Sequence, residues 1–277
     1  MAERRIARAL RRAREEGRAA FIPYITAGDP SLEWTGRYLR ALTDAGADIV
    51  ELGVPFSDPI ADGKVNQRAA ERALAAGATL AKILDLVRSE RARGCEAPIV
   101  LFTYYNPLLR MGLKSFAARA KEAGVDGVLV VDLPPEEAAV HGETLRGAGI
   151  DTVFLASPTT TEERLPRISA ASSGFVYYVS RLGVTGERAR LSETLAGELA
   201  RVRRHVDKPV AVGFGISTPD QAGDVAALAG VDAVVVGSAL VKFVEKHAPE
   251  EAGRLMAELA RSLVSALKKS GGNARRP

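Results

Sequence analysis

Eight short apolar runs recur along this chain, and each is followed by a stretch of helical character. The runs are AAFIPYI from residue 19, ADIVEL from 47, PIVLFTY from 98 and GVLVVDL from 127. Then come DTVFLAS from 151, FVYYVS from 175, PVAVGFG from 209 and DAVVVGS from 232. They are rich in valine and isoleucine and nearly continuous rather than alternating, the pattern of strands buried on both faces of a parallel sheet. Segments between them, such as LEWTGRYLRALTDAG and PEEAAVHGETLRGAG, carry apolar residues at helical spacing and close on glycine. Eight such units in series predict an α/β fold of the (β/α)8 TIM-barrel type. A doubly wound open sheet is the competing arrangement; it is disfavoured because nothing like GxGxxG follows the first run.

A chain of 277 residues suits one barrel of this kind. A single domain is expected over residues 1–268, with an extra N-terminal helix in RRIARALRRAREE and a disordered basic tail over 269–277. Much of the net charge of +4 sits in these two ends. A basic helix can bind nucleic acid, but the stripe of Ile6, Leu10 and Ala13 fits better a solvated helix lying against the fold. No run approaches the roughly 20 apolar residues of a membrane span. The charged N-terminus reads as no signal peptide. One cysteine, Cys95, allows no internal disulfide, which fits the reducing cytoplasm. It lies in RARGCEAP with no histidine or metal-ligand spacing beside it, so a reactive thiol is not supported.

In such a barrel the chemistry belongs at the C-terminal ends of the strands. Glu51 ends the second run, and Asp62 lies on the following loop, ELGVPFSDPIADG, stiffened by Pro55 and Pro59. Two carboxylates in different surroundings can divide acid and base roles; the plainer alternative is that Asp62 caps a helix over 66–76. Run seven closes on GFGIS, with Gly213 and Gly215, and run eight on GSAL, with Gly237 and Ser238. Glycine-bearing loops feeding helix N-termini after strands seven and eight predict a phosphate site. The loop SRLGVTGERARL suits a mobile lid, with Gly186 as a third phosphate contact. His141, His205 and His247 all fall in helices or helix ends, against a histidine-rich metal site. Lys208 abuts a strand at the wrong end and Lys64 lies on a loop, against a Schiff base. What remains is acid–base chemistry on a small phosphorylated substrate.

FIPYITAGDP, ELGVPFSDPIADG, SRLGVTG, GFGIS and VVVGSA, in this order and at these spacings, closely resemble the tryptophan synthase alpha subunit family over nearly the whole chain. The resemblance implies retro-aldol cleavage of indole-3-glycerol phosphate to indole and glyceraldehyde 3-phosphate. Glu51 matches the family's catalytic glutamate, Asp62 its catalytic aspartate and Tyr177 a tyrosine beside the glutamate. Thr185 matches a lid threonine, and Gly186, Gly215, Gly237 and Ser238 match phosphate contacts. Tyr24, Phe102, Leu129 and Phe214 match the indole pocket, although Leu129 reads nearly as well as barrel core. The implied partner is a beta subunit, in an alpha2beta2 assembly, facing the loops near Asp58 and Asn106 and receiving indole. Its pyridoxal phosphate belongs to beta, and no cofactor is expected in this chain.

One stretch departs from the family. After ADG the usual order is Pro, a β-branched residue, Ile and Gln; here it is Lys64, Val65, Asn66 and Gln67. Loss of the proline predicts a freer loop. Asn66 is expected to cap helix 66–76, and Lys64 to lower the pKa of Asp62. The competing functions are a stand-alone lyase that works without beta, a catalytically weak binding partner of beta, and another phosphate-binding barrel such as an epimerase.

Overall fold

The computed structural model describes residues 3–180, 188–213 and 215–274, with the side chains of 188–192 and 269–274 left aside. All eight predicted runs form strands: β1 (Ala20–Thr26), β2 (Val50–Gly53), β3 (Ile99–Thr103), β4 (Gly127–Val130), β5 (Asp151–Ala156), β6 (Val176–Val179), β7 (Val210–Gly213) and β8 (Ala233–Val236). Each pairs in parallel with the next, and β8 returns to β1 to close the ring. The helices in chain order are α1 (Arg5–Glu15), α2 (Leu32–Asp44), α3 (Lys64–Ala75), α4 (Leu80–Ala92), α5 (Tyr105–Met111) and α6 (Leu113–Ala123). They continue as α7 (Ala139–Ala148), α8 (Leu165–Ala171), α9 (Arg188–Arg203), α10 (Pro219–Ala226), α11 (Ser238–Lys246) and α12 (Pro249–Ala274). The last of these carries helix into the segment expected as a disordered tail from 269.

The strands read as continuous apolar runs because they bury both faces. On β2, Val50 and Leu52 pack outward in the large layer between strands and helices, while Glu51 and Gly53 take the alternate, inward positions. On β6, Val176 and Tyr178 point outward and Tyr177 inward. The inner layer is a separate cluster that includes Ile22, Ile49, Val100, Leu129, Val153 and Phe175.

Helix α1 belongs to that inner cluster. Its stripe of Ile6, Ala9, Leu10 and Ala13 is buried among the inward side chains, so the helix closes the N-terminal mouth of the barrel. Its arginines meet aspartates at the starts of four strands. Arg4 pairs with Asp151, Arg5 with Asp126 at 3.3 Å, Arg12 with Asp48 at 3.1 Å and Arg14 with Asp232 at 2.8 Å. Asp48 has no exposure, is held again by Arg18 at 2.6 Å, and accepts the Phe21 N–H at 2.8 Å. Arg5, Arg12 and Arg14 are thus tied to aspartates of the fold, although Arg12 and Arg14 stay largely exposed.

Ile6 is fully buried and should matter more than the charges around it. Ile6→Ala is expected to cost about 2–5 kcal/mol, the range for truncating a core aliphatic side chain. Arg14→Ala, at a largely exposed arginine, should cost under about 1 kcal/mol. Urea denaturation of both variants checks the order.

Candidate active site

Glu51 enters the site because of strand alternation. Being inward on β2, it is 1% exposed, and neither carboxylate oxygen has a hydrogen-bond partner. Burial removes water from the charged form and pushes its pKa up to about 8. Glu51 is thus a neutral acid at neutral pH. Tyr177 stands near enough to feel it: burial first, then the Glu51 charge, then Tyr24 raise the phenol well above its ordinary value. Tyr24 packs edge-to-face on Phe102, with ring centroids 5.4 Å apart.

Two glycines make room for the tyrosines. A Cβ on Gly53 would lie 2.1 Å from the Tyr24 hydroxyl oxygen, and one on Gly213 would lie 2.2 Å from that of Tyr177. No side chain larger than hydrogen fits either place. For Gly213, expected as a phosphate contact, this is its observed surrounding. Its carbonyl is also taken, by the Ser180 N–H at 3.0 Å and hydroxyl at 2.9 Å.

Asp62 is held from several sides. The Tyr104 hydroxyl donates to Asp62 Oδ2 at 2.9 Å and accepts the Ala61 N–H at 3.0 Å. The Tyr104 ring stacks on Phe56 at 4.9 Å. The Gln67 amide donates to the Asp62 carbonyl at 2.8 Å. Burial raises the Asp62 pKa, and hydrogen bonds from Tyr104 and the Asn66 side chain pull it partly back. The expected lowering by Lys64 is therefore not what the site does: desolvation outweighs the donors, and Lys64 is not among the groups acting on Asp62. Asn66 does not cap its helix either. Gly63 occupies the cap position and α3 begins at Lys64, which puts Asn66 within the first turn, its amide beside Asp62.

These groups converge on one cavity of about 260 Å³. It gathers Glu51, Asp62, Tyr24, Phe102 and Tyr177, and Gly215, Gly237 and Ser238 border the same space. Ser238 opens α11, whose first N–H groups favour an anion there. Leu129 lies deeper, fully buried in the inner cluster with α1, so the core reading of that residue is the observed one. Thr185, Gly186 and Phe214 lie outside the described residues. Ile216 and Val235 line the cavity without having been singled out from sequence, and Val65 and Asn66, noted there only as departures after Asp62, line it too. Tyr104 was also missed, although it directly follows β3, at the strand end where chemistry is expected.

A larger cleft of about 470 Å³ lies beside α1, bordered by Arg5, Arg12, Arg40, Asp48 and Glu90. There the acids are satisfied: Arg40 reaches Glu90 at 2.6 Å, and Arg12 and Arg18 hold Asp48. Among the described residues, the buried carboxylate oxygens without a partner are those of Glu51, in the smaller cavity. No group of three or more His, Cys, Asp or Glu among these residues is arranged to hold a metal ion. His141 is buried in α7, where desolvation lowers its pKa to about 4.

The family model for the tryptophan synthase alpha chain matches residues 10–270. The tryptophan synthase alpha chain of Geobacter sulfurreducens is 52% identical over 269 residues, covering 97% of this chain and 99% of that one. The alpha chain of Burkholderia lata is 49% identical over 261 residues, covering 94% and 96%. Among solved structures, tryptophan synthase subunit alpha from Legionella pneumophila superposes with a TM-score of 0.87 at 38% identity, covering 97% of this chain and all of that one. The tryptophan synthase complex from Pyrococcus furiosus matches with a TM-score of 0.80 at 43% identity, covering 90% of this chain and 98% of that one. With the closed barrel and the Glu51–Asp62 cavity already in view, these matches over nearly its full length place the chain in the tryptophan synthase alpha chain family.

Proposed function

We propose that Glu51 is the acid–base group and Asp62 the ring-nitrogen acceptor in the alpha-chain reaction, the cleavage of indole-3-glycerol phosphate to indole and glyceraldehyde 3-phosphate. The observation that carries this reading is the buried Glu51 carboxyl, neither oxygen of which has a hydrogen-bond partner, in surroundings that push its pKa up to about 8. A neutral acid facing an aromatic pocket can deliver its proton to indole C3. The ring then holds positive charge at its nitrogen, which the Asp62 carboxylate stabilises through the N–H. The carboxylate left on Glu51 takes the proton of the adjacent glycerol hydroxyl. That oxygen becomes the aldehyde carbonyl as the C–C bond breaks, and the bonding pair returns to the ring. Glu51 ends as it began, protonated, so one residue serves both proton transfers.

Tyr177 packs beside Glu51 and helps keep its surroundings dry. Gly215, Gly237 and Ser238 are assigned to the phosphate, supported by their place on the cavity and at the start of α11. Thr185 and Gly186 are assigned to the closing lid, and Phe214 and Phe102 to the indole walls. The partner is the beta subunit, which takes up the indole. Its docking face is assigned to the mouth of the barrel, where Ile60, Leu109 and Val140 are 88%, 53% and 68% exposed. All three lie after strand C-terminal ends, on the Asp62 loop, α5 and α7. One solved relative from Pyrococcus furiosus carries the description of an a2b2 complex, and the same assembly is proposed here. Pyridoxal phosphate is assigned to beta, none to this chain, and the location to the cytoplasm.

Indole release by the purified chain, with and without a beta subunit, tests the reading. Slow turnover alone, strong activation by beta, and loss of at least about 100-fold in Glu51→Gln and Asp62→Asn are expected, as for removal of an acid–base group. Fast turnover that beta does not change would favour the stand-alone lyase, and full activity in either variant would overturn the role of that residue.

The pH dependence has a definite sign. Glu51 binds its proton more tightly folded than unfolded, so stability falls as pH rises from about 4.5 to about 8. Glu51→Gln lacks this loss. Its melting temperature should overtake that of the parent chain through this window, with the difference levelling off above about pH 8. Because the protonated acid starts the reaction, kcat/KM should fall about tenfold per pH unit once that pKa is passed.

Tyr104→Phe removes the hydroxyl shared by Asp62 and Ala61 N–H. A cost near 1 kcal/mol in stability is expected, with a larger effect, about tenfold, on kcat. Steady-state kinetics beside urea denaturation separates the two.

A further inference from the structure

The side chain of Asn66 borders the cavity, and its carbonyl oxygen is buried without a hydrogen-bond partner. Its amide lies against the Asp62 carboxylate and lowers that group's pKa. An amide beside a carboxylate presents its N–H2 end, because its carbonyl would meet like partial charge. That choice fixes the other end: Oδ1 is turned away from Asp62 and has nothing to accept from. The same cavity carries the hydrocarbon side chains Val65, Ile216 and Val235 and, as polar groups, Lys64 and Ser238.

We propose that Asn66 offers a hydrogen-bond acceptor to the six-membered ring of the bound indole, at the edge beside the ring nitrogen. The pocket would then favour indoles that carry a hydroxyl or amino donor at that edge. This rests on the assignment of the ring N–H to Asp62. If Asp62 receives that N–H, the side chain touching Asp62 meets the ring edge on that side, where the first six-membered-ring carbon able to carry a substituent is carbon 7, one bond beyond the fused carbon bonded to nitrogen. An unsubstituted ring presents only C–H there and leaves the carbonyl unpaired. A donor at carbon 7 satisfies it, and sites that hydrogen-bond a ligand discriminate far more sharply than sites that only enclose it. The same donor at carbon 4 lies beside carbon 3 and meets the unpartnered Glu51 carboxyl instead, so its binding is indifferent to Asn66.

Equilibrium binding of indole, 7-hydroxyindole, 4-hydroxyindole and 1-methylindole to the purified chain tests this, beside Asn66→Leu, a near-isosteric apolar replacement. The parent chain should bind 7-hydroxyindole about tenfold tighter than indole, one hydrogen bond's worth of discrimination, and any gain of 4-hydroxyindole should be the same in Asn66→Leu. In Asn66→Leu the advantage of 7-hydroxyindole should vanish, with circular dichroism confirming that the variant folds. No advantage in the parent, or an advantage for 7-hydroxyindole that survives in Asn66→Leu, would overturn the role of Asn66. The 1-methylindole arm keeps the two assignments apart. If the parent fails to distinguish it from indole, the Asp62 assignment falls and the proposal with it. If it does distinguish them while 7-hydroxyindole gains nothing, only Asn66 is misassigned.

Discussion

Closing eight strands into a ring creates an interior with two mouths, and the rest of this structure follows from how each is treated. The N-terminal mouth is sealed. Helix α1 lays Ile6, Ala9, Leu10 and Ala13 onto the inward side chains, and its arginines are fixed by aspartates at the strand starts. The middle is filled by aromatic side chains from β1 and β6, admitted because Gly53 and Gly213 have no Cβ. Only the C-terminal mouth is left with space. A carboxyl placed there by strand alternation has sealed core behind it and tyrosines beside it, so it is dry by construction.

Dryness then separates the two carboxylates. Glu51 has burial and nothing to oppose it, so its proton affinity rises by several orders of magnitude. Asp62 is less enclosed and receives hydrogen bonds from Tyr104 and Asn66, which favour its charged form and offset part of the desolvation. In the proposed reaction this difference suits one group to giving a proton and the other to facing a cation, although the side chains differ by a single methylene. A buried carboxyl with both oxygens unpartnered weakens the fold. It persists where the missing partner is the substrate.

The strands were legible because a parallel sheet buried on both faces leaves no polar alternation, so each run stands out from the helices around it. Glu51 and Asp62 were legible because position at a strand's end is itself a chemical signal in a barrel. The misreadings have a common cause in packing between distant segments. Gly213, expected at the phosphate, also makes room for the Tyr177 hydroxyl arriving from β6, a packing need that only the fold shows. The stripe on α1 was visible, yet its aspartates at 48, 126, 151 and 232 are scattered over most of the chain. Tyr104 ended a run already recognised as a strand, and its role appears only when the Asp62 loop folds back onto it. The cap assigned to Asn66 failed because α3 starts two residues earlier than the periodicity implied, which turns a capping position into a cavity wall.

The loss of proline after Asp62 changes how the loop is held rather than whether it is held. A proline would restrict the unfolded chain. Here the restraint comes from native contacts: Gln67 reaches the Asp62 carbonyl, Tyr104 receives the Ala61 N–H, and Phe56 stacks on the same phenol. Such contacts respond to their surroundings in a way that a ring closure cannot. Tyr104 is also the residue that opens α5, the helix carrying the exposed Leu109. A partner seated on that face therefore bears on the helix whose first flanking residue grips the catalytic loop. Holding the loop by hydrogen bonds ties the order of Asp62 to groups next to the proposed docking surface, while Glu51 is fixed by its strand.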